Sequence, residues 1–273
     1  MSKEFLRQMI ASAGWPMILL AGRGMNEPRV AVIMYHSVGG NAKMSLSPSA
    51  FSHHIDALQD MGAKFATVGE ICGSREVSDW TICLTFDDGF EDNHSVVFPL
   101  LVNRGIRATF FLCSGFVDRR IDISARFRNY RGLSPMNWQQ ARELADAGME
   151  IGCHTVSHPV LATLPAIMQE QEMAKAKKEI ENQVGIEISS FAIPFGNRGT
   201  YTGETLDIAA RYFRVCCTTR FSTNAIRFYR HREMVLFDRI EPRPSQSARQ
   251  ITDQGRGRWD ALRWIQRPYR GTK

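Results

Sequence analysis

Several protein classes leave marks that this sequence does not carry. None of its six cysteines stands at Cys-x-x-Cys spacing, so no zinc-ribbon or thioredoxin-type pair is present. The runs Thr81-Ile82-Cys83-Leu84 and Phe111-Leu112-Cys113 set cysteine among apolar residues, where a free thiol packs as a small hydrophobe. That usage points to a reducing compartment and away from a disulfide framework. No repeat of roughly 20–50 residues recurs, which excludes a solenoid or propeller. A Gly-x-Ser-x-Gly elbow is missing, which argues against a serine hydrolase of that type. Long apolar runs are missing too. The charge-free stretch Met9–Gly22 covers fourteen residues, against roughly 20 for a membrane-crossing helix. Lys3 and Arg7 precede it as in a signal peptide, but Glu4 dilutes the charge, Pro16 interrupts the run and no small-x-small cleavage site follows. The expectation is a short helix covering one end of a domain or lying on a membrane, in a cytoplasmic or membrane-associated protein.

What is present describes one large folded unit. The 273 residues are 44% hydrophobic and 23% charged, an ordinary balance for a globular chain of this length. The net charge of +6 is unevenly spread, because the segment from Arg211 onward holds 15 Lys and Arg against 5 Asp and Glu. Such a basic third can meet an anionic polymer or a membrane surface, or can be a solvated face without a partner. Nucleic acid is not expected, since no recognition motif accompanies the charge.

From Arg29 onward, apolar strand-like runs alternate with helical spacing. Strands are expected at Val30–Tyr35, Phe65–Val68, Thr81–Phe86, Ala108–Cys113, Met149–Cys153, Ser190–Ile193, Phe213–Cys217 and Val235–Ile240. Helices are expected at Pro48–Met61, Val96–Asn103, Asn137–Ala147, Ile167–Val184, Glu204–Arg211 and Trp259–Ile265, with a charged, irregular insertion of five arginines over 118–135. Alternation of this kind is the pattern of an α/β fold with a parallel sheet. The chemically interesting residues each follow a strand, where the active sites of β/α barrels lie.

Asp87-Asp88-Gly89 closes the third of those strands. Successive strand side chains point to opposite faces, so one carboxylate can bind a metal while its neighbour accepts a proton. Read alone, the triplet is equally a turn and a helix N-cap. His154-Thr155-Val156-Ser157-His158 follows another strand, and imidazoles at i and i+4 can converge on one cation from a helical turn or a loop. Two histidines and one carboxylate leave coordination positions open for water and substrate, as a hydrolytic site requires. Pro194-Phe195-Gly196 shapes a turn whose backbone N–H groups can face an oxyanion, or is an ordinary strand corner. His36, in Met34-Tyr35-His36, can protonate a leaving amine or be a rim histidine. The adjacency of Asp87 and Asp88 disfavours a glycosidase, whose two carboxyl groups flank the scissile bond.

Taken in order, Thr85-Phe86-Asp87-Asp88-Gly89, His154-Thr155-Val156-Ser157-His158-Pro159 and Phe191-Ala192-Ile193-Pro194-Phe195-Gly196 resemble the polysaccharide deacetylase (NodB-homology) family, carbohydrate esterase family four. The resemblance covers about Val30 to Glu241 and includes Ala108–Leu112 and Ala147–Gly152. It implies a distorted (β/α) barrel of about seven strands over 29–243, between an N-terminal extension 1–28 and a basic helical tail 244–273. It further implies Asp87 as general base and Asp88, His154 and His158 as ligands of one divalent metal, zinc above all. Pro194, Phe195 and Gly196 would border the oxyanion, and an N-acetylated carbohydrate would be the substrate. The chain departs from the pattern twice. Ala192 stands where many members carry the arginine that orients the base, and Val235–Ile240 lacks the histidine of a C-terminal Leu-x-His. Met34-Tyr35-His36 is similar to the rearranged motif of exopolysaccharide-type members, which makes His36 the acid. Two other readings stay open: hydrolysis of another C–N bond in a small molecule, and a catalytically silent sugar binder.

Overall fold

The structure is a computed structural model that describes residues 29–74, 77, 80–219, 224–225, 229–242 and 246–256. Its strands are β1 (Arg29–Tyr35), β2 (Lys64–Phe65), β3 (Trp80–Phe86), β4 (Thr109–Leu112), β5 (Glu150–Cys153), β6 (Ser190–Ala192), β7 (Val215–Cys217), β8 (Asn224–Ala225), β9 (Tyr229–His231), β10 (Met234–Phe237) and β11 (Arg239–Ile240). Its helices are α1 (Pro48–Asp60), α2 (Val68–Gly73), α3 (Phe98–Val102), α4 (Ser114–Val117), α5 (Ile123–Arg126), α6 (Trp138–Asp146), α7 (Ala166–Val184), α8 (Gly203–Tyr212) and α9 (Ala248–Gly255). The region of the N-terminal extension 1–28 and the expected helix at Trp259–Ile265 lie outside the described residues.

One sheet runs in the order β11-β1-β3-β4-β5-β6-β7-β10-β9. Pairing is parallel throughout β1, β3, β4, β5, β6, β7 and β10, and β11 is parallel to β1. The hydrogen-bonded path is not closed. Its β10 and β11 segments are instead joined through the single residue Asp238, so the chain from Met234 to Ile240 leaves β7 and arrives at β1. Counting β10–β11 as one interrupted strand, seven parallel strands form a distorted α/β barrel, and β2, β8 and β9 are short additions.

Alternation along the strands sorts the core into two layers. Val30, Val32, Cys83, Phe111, Ala192, Val215, Cys217, Val235 and Phe237 cluster on one face of the sheet. Their neighbours Ala31, Ile33, Ile82, Leu84, Phe86, Phe110, Ile151, Phe191, Cys216 and Leu236 pack on the other, with Phe51 and Ile55 of α1, Leu144 of α6 and Met173 and Ile180 of α7. Period-2 alternation with both faces apolar is what a buried parallel strand demands. Tyr35, Phe86 and Phe110 continue the second layer as stacked rings, at centroid separations of 5.6 and 5.0 Å.

Helix starts follow their capping residues. Ser47 accepts from the Ala50 N–H, and capping boxes begin α2 (Thr67/Glu70), α6 (Asn137/Gln140), α8 (Thr202/Thr205) and α9 (Ser247/Gln250). The box at Thr67 explains one difference from the sequence expectation. Only Lys64–Phe65 pairs as a strand, and Val68 already opens α2. Residues 118–135 differ as well. They contain α5 and the 3-10 turn Arg128–Tyr130, and their apolar side chains Ile123 and Leu133 are buried with Phe90, Cys113 and Phe116. Of the tail 244–273, residues 246–256 are described. There His54 of α1 meets the Gln246 carbonyl at 3.1 Å, and the Trp80 indole donates to the Gly255 carbonyl at 3.1 Å.

Candidate active site

The inward series of three strands continue into polar side chains at the same end of the barrel. On β3, Cys83 and Thr85 lead to Asp87. On β5, Gly152 leads to His154. On β10–β11, Val235 and Phe237 lead to Arg239. Asp87, His154 and Arg239 are each 2% exposed or less.

Arg239 and Asp87 form a bidentate pair. Nη1 donates to Oδ1 and Nη2 to Oδ2, each at 2.7 Å. Arg239 is otherwise held by its Nε bond to the Thr218 carbonyl at 3.1 Å, by Thr85 Oγ1 at 3.3 Å, and by the Phe111 ring, whose centroid lies 5.5 Å from the guanidinium carbon. Burial alone would raise the Asp87 carboxyl. The Arg239 guanidinium, with His154 and His36, outweighs it and brings the group down to about 2. Asp87 is therefore ionised at neutral pH.

Asp88 has no arginine partner among the described residues, although both carboxylates approach His154 Nε2, Asp87 at 3.9 Å and Asp88 at 3.5 Å. The Asp88 φ of 75° lies in the left-handed region, and Gly89 follows at 87°. The carboxylate meets His154 Nε2 at 3.5 Å and His158 Nε2 at 3.4 Å, both through Oδ1. Asp88, His154 and His158 each offer a ligand atom within 4.8 Å of the others. His154 Nδ1 sits 2.8 Å from the Ala192 carbonyl; donating that N–H leaves the Nε2 lone pair facing Asp88. Burial, with His154 and His36 near, drives His158 well below its ordinary value and keeps it neutral. Both Asp88 oxygens and His158 Nδ1 are buried with no hydrogen-bond partner. Leaving such atoms unsatisfied costs about 1–3 kcal/mol each, and a cation on this donor set relieves the carboxylate's share. The residues present fit a divalent metal.

The loop carrying the two histidines is built for them. Glu172 of α7 accepts from the Val156 and Ser157 N–H groups at 3.0 and 2.8 Å and from the Ser157 hydroxyl at 2.8 Å. The His158 N–H donates to Thr155 Oγ1 at 3.1 Å. His154 and His158 thus converge from a loop. Thr155, His158 and Phe195 all have positive φ, of 67°, 52° and 63°. With Asp88, four strained non-glycine positions surround one point, a concentration typical of functional sites. The Phe195 ring centroid lies 4.7 Å from that of His158, and the Gly196 N–H donates to the Pro194 carbonyl at 2.7 Å. A Cβ on Gly196 would stand 2.8 Å from the Thr219 nitrogen, so the turn needs glycine.

His36 completes the ring at the rim. Its backbone carbonyl accepts from Asn93 Nδ2 at 2.7 Å, while Nδ1 lies 3.8 Å from Glu241. Asp92, pushed up to about 6 by burial despite bonds from Ser37 and the Val38 N–H, anchors the next two residues. The structure thus brings Asp87, Asp88, His154, His158, His36 and the Pro194–Gly196 turn to one end of the barrel. The residue that sequence reasoning missed is Arg239. Its signal was an Asp-Arg pair inside the apolar run Val235–Ile240, where strand alternation points one of the two inward.

Residues 74–212 match the family model of the polysaccharide deacetylases. That is just over half of the chain, and the chain belongs to this family. Among its relatives is YxkH of Bacillus subtilis, provisionally named a polysaccharide deacetylase. It is 26% identical over 187 residues, which is 67% of this chain and 61% of YxkH, so the chain spans about three-fifths of that relative. The poly-beta-1,6-N-acetyl-D-glucosamine N-deacetylase of Escherichia coli is 27% identical over 152 residues, 50% of this chain and 22% of that protein. Among solved structures, the Streptococcus pyogenes deacetylase PplD, in complex with acetate, superposes with a TM-score of 0.71. It is 23% identical, over 84% of this chain and 99% of that one, and shares the fold.

Arg239→Met leaves the Asp87 charge buried without a partner. The expected loss is about 3–5 kcal/mol at neutral pH, read by urea denaturation. Asp87→Asn added to Arg239→Met is expected to recover part of it, and an undiminished midpoint in the single variant would show that the pair does not hold the barrel end.

Proposed function

We propose that this chain is a metal-dependent hydrolase that removes N-acetyl groups from a carbohydrate: a surface polysaccharide, an oligosaccharide or a glycolipid precursor. The observation that carries the reading is the separation of two adjacent carboxylates. Each Asp87 oxygen accepts from Arg239, and the Asp88 oxygens stand between two histidines without a hydrogen-bond partner. Asp88, His154 and His158 would hold the ion. We propose zinc, whose tetrahedral preference suits three such ligands and an open position. An ion there would supply Lewis acidity and a lowered pKa for bound water.

The remaining roles fall to the chain's own groups. Asp87 accepts a proton from the attacking water. Its pairing with Arg239 makes it a weak base, so its contribution comes from the fixed position at which it receives the proton. The backbone N–H of Phe195, in the Pro194–Phe195–Gly196 turn, stabilises the oxyanion. His36 gives a proton to the departing sugar nitrogen, so that amide and water become amine and acetate. Arg239 supplies the guanidinium absent at position 192, which favours catalysis over a silent sugar binder.

Acetate release from N-acetylated oligosaccharides and glycolipid precursors is the test. Release should stop with chelator and return with added metal. Asp87→Asn should lower it by at least about a hundredfold. A folded, metal-loaded protein that releases no acetate would contradict the reading.

We also propose that the basic third from Arg211, with its 15 Lys and Arg against 5 Asp and Glu, meets an anionic polymer or membrane surface. Co-sedimentation with phosphatidylserine vesicles should occur at low salt and fall about tenfold or more at high salt. Equal recovery on neutral vesicles would contradict it.

A further inference from the structure

The site is closed on one side by residues of the 118–135 segment. Phe127 lies with its ring 5.5 Å from that of His158 and 5.7 Å from that of Phe195, edge-on to both. Three residues on, Tyr130 stands 5.7 Å from the His36 ring and 5.3 Å from Phe90. The 3-10 turn between them therefore spans from the metal-ligand side of the site to the His36 side. Beneath it Asp88 and His154 are 0% and 1% exposed. The opening lies at the rim, where the side chains of His36 and Glu241 are 15% and 45% exposed.

This cover is fastened at both ends. Arg126 Nη1 donates to the Ser157 and His158 carbonyls at 3.1 and 3.3 Å, and the Met44 N–H reaches the Asn129 carbonyl at 3.4 Å. The Glu91 N–H donates to the Ser134 carbonyl at 2.9 Å, and the Met136 N–H to the Gly89 carbonyl at 3.0 Å, so the segment returns onto the Asp87-Asp88-Gly89 turn. Ile123 and Leu133 anchor it in an apolar cluster with Phe90, Cys113 and Phe116. Burial, with Asp88, Glu241 and Asp87 in the same field, keeps the Tyr130 phenol well above its ordinary value. Protonated, it can donate a hydrogen bond to a sugar at the rim.

A polymer that reacts at an interior unit needs room for its neighbours on both sides of the reacting sugar. Here Phe127 packs against His158 and Phe195, and Tyr130 against His36, over one side of the site. We propose that the 118–135 segment is a fixed roof that restricts the enzyme to the terminal N-acetylated sugar of its substrate, entered past His36 and Glu241, with Phe127 and Tyr130 as the residues that set this specificity. The proposal rests on the deacetylase reading above and narrows its substrate class.

The test is the position of deacetylation in N-acetylglucosamine oligomers, β-1,4- and β-1,6-linked, from dimer to hexamer. The full chain, loaded with metal, is used, and the products are sequenced by tandem mass spectrometry after labelling the reducing end. One acetyl group lost per chain, always at the same end, at a rate that does not rise with length, is the expected result. Interior or multiple deacetylation by the unaltered protein would overturn the roof and leave the deacetylase reading standing. Acetate release from no oligomer and from no monosaccharide would overturn both. In a Phe127→Gly/Tyr130→Gly variant with an unchanged melting profile, the ratio of interior to terminal products should rise by about tenfold or more. An unchanged ratio would remove these two side chains from the account.

Discussion

The buried pair of Arg239 and Asp87 is the interaction on which the rest of the site depends. Two opposite charges withdrawn from water are tolerable only with full, well-directed partners. The guanidinium meets that condition with both carboxylate oxygens, the Thr218 carbonyl, the Thr85 hydroxyl and the Phe111 ring. These partners follow or belong to β3, β4 and β7, and Arg239 itself opens β11. The pair therefore sits at the seam where the sheet's hydrogen bonds are interrupted and the chain passes from β7 to β1 through Asp238. Asp238 is fixed there in turn, accepting from the Thr218 hydroxyl at 2.8 Å. The same contacts that tie the seam hold Asp87 in one orientation.

With Asp87 committed to Arg239, the backbone decides what Asp88 does. A left-handed φ of 75° turns its carboxylate out of the strand's alternation and toward the two histidines. The conformation costs of order 1–3 kcal/mol, and Gly89 helps it by adopting a positive φ that few other residues take readily. Thr155, His158 and Phe195 share this unusual backbone state. Their loops are clamped from behind, by Glu172 beneath the histidine loop and by Thr219 against the Phe195 turn. Rigid support distributed over three loops lets a small set of strained residues meet at one point.

Much of this was legible in the residues. Asp87-Asp88-Gly89 and His154 to His158 carry their own spacing, and strands such as β1 and β3 announce themselves by unbroken apolar runs. Less legible was the alternation of the short strands, because a one-residue shift exchanges inward for outward. Arg239 illustrates this. In the run Val235–Ile240, composition does not say which of Asp238 and Arg239 faces the barrel, and only the register with β1 and β7 decides it. The segment 118–135 was hidden for another reason. Five arginines mask the buried Ile123 and Leu133 and the ring contacts of Phe127 and Tyr130. Local charge there reports the outer surface, while a few apolar residues determine where the segment sits.

The site divides duties between two neighbouring aspartates: Asp88 is the proposed metal ligand, and Asp87 is held by Arg239. Metal content per chain, measured by elemental analysis on Asp88→Asn and Asp87→Asn beside the unaltered protein, tests it most directly. Close to one equivalent is expected in the unaltered protein and in Asp87→Asn, and almost none in Asp88→Asn. Retention of metal by Asp88→Asn together with its loss from Asp87→Asn would contradict it.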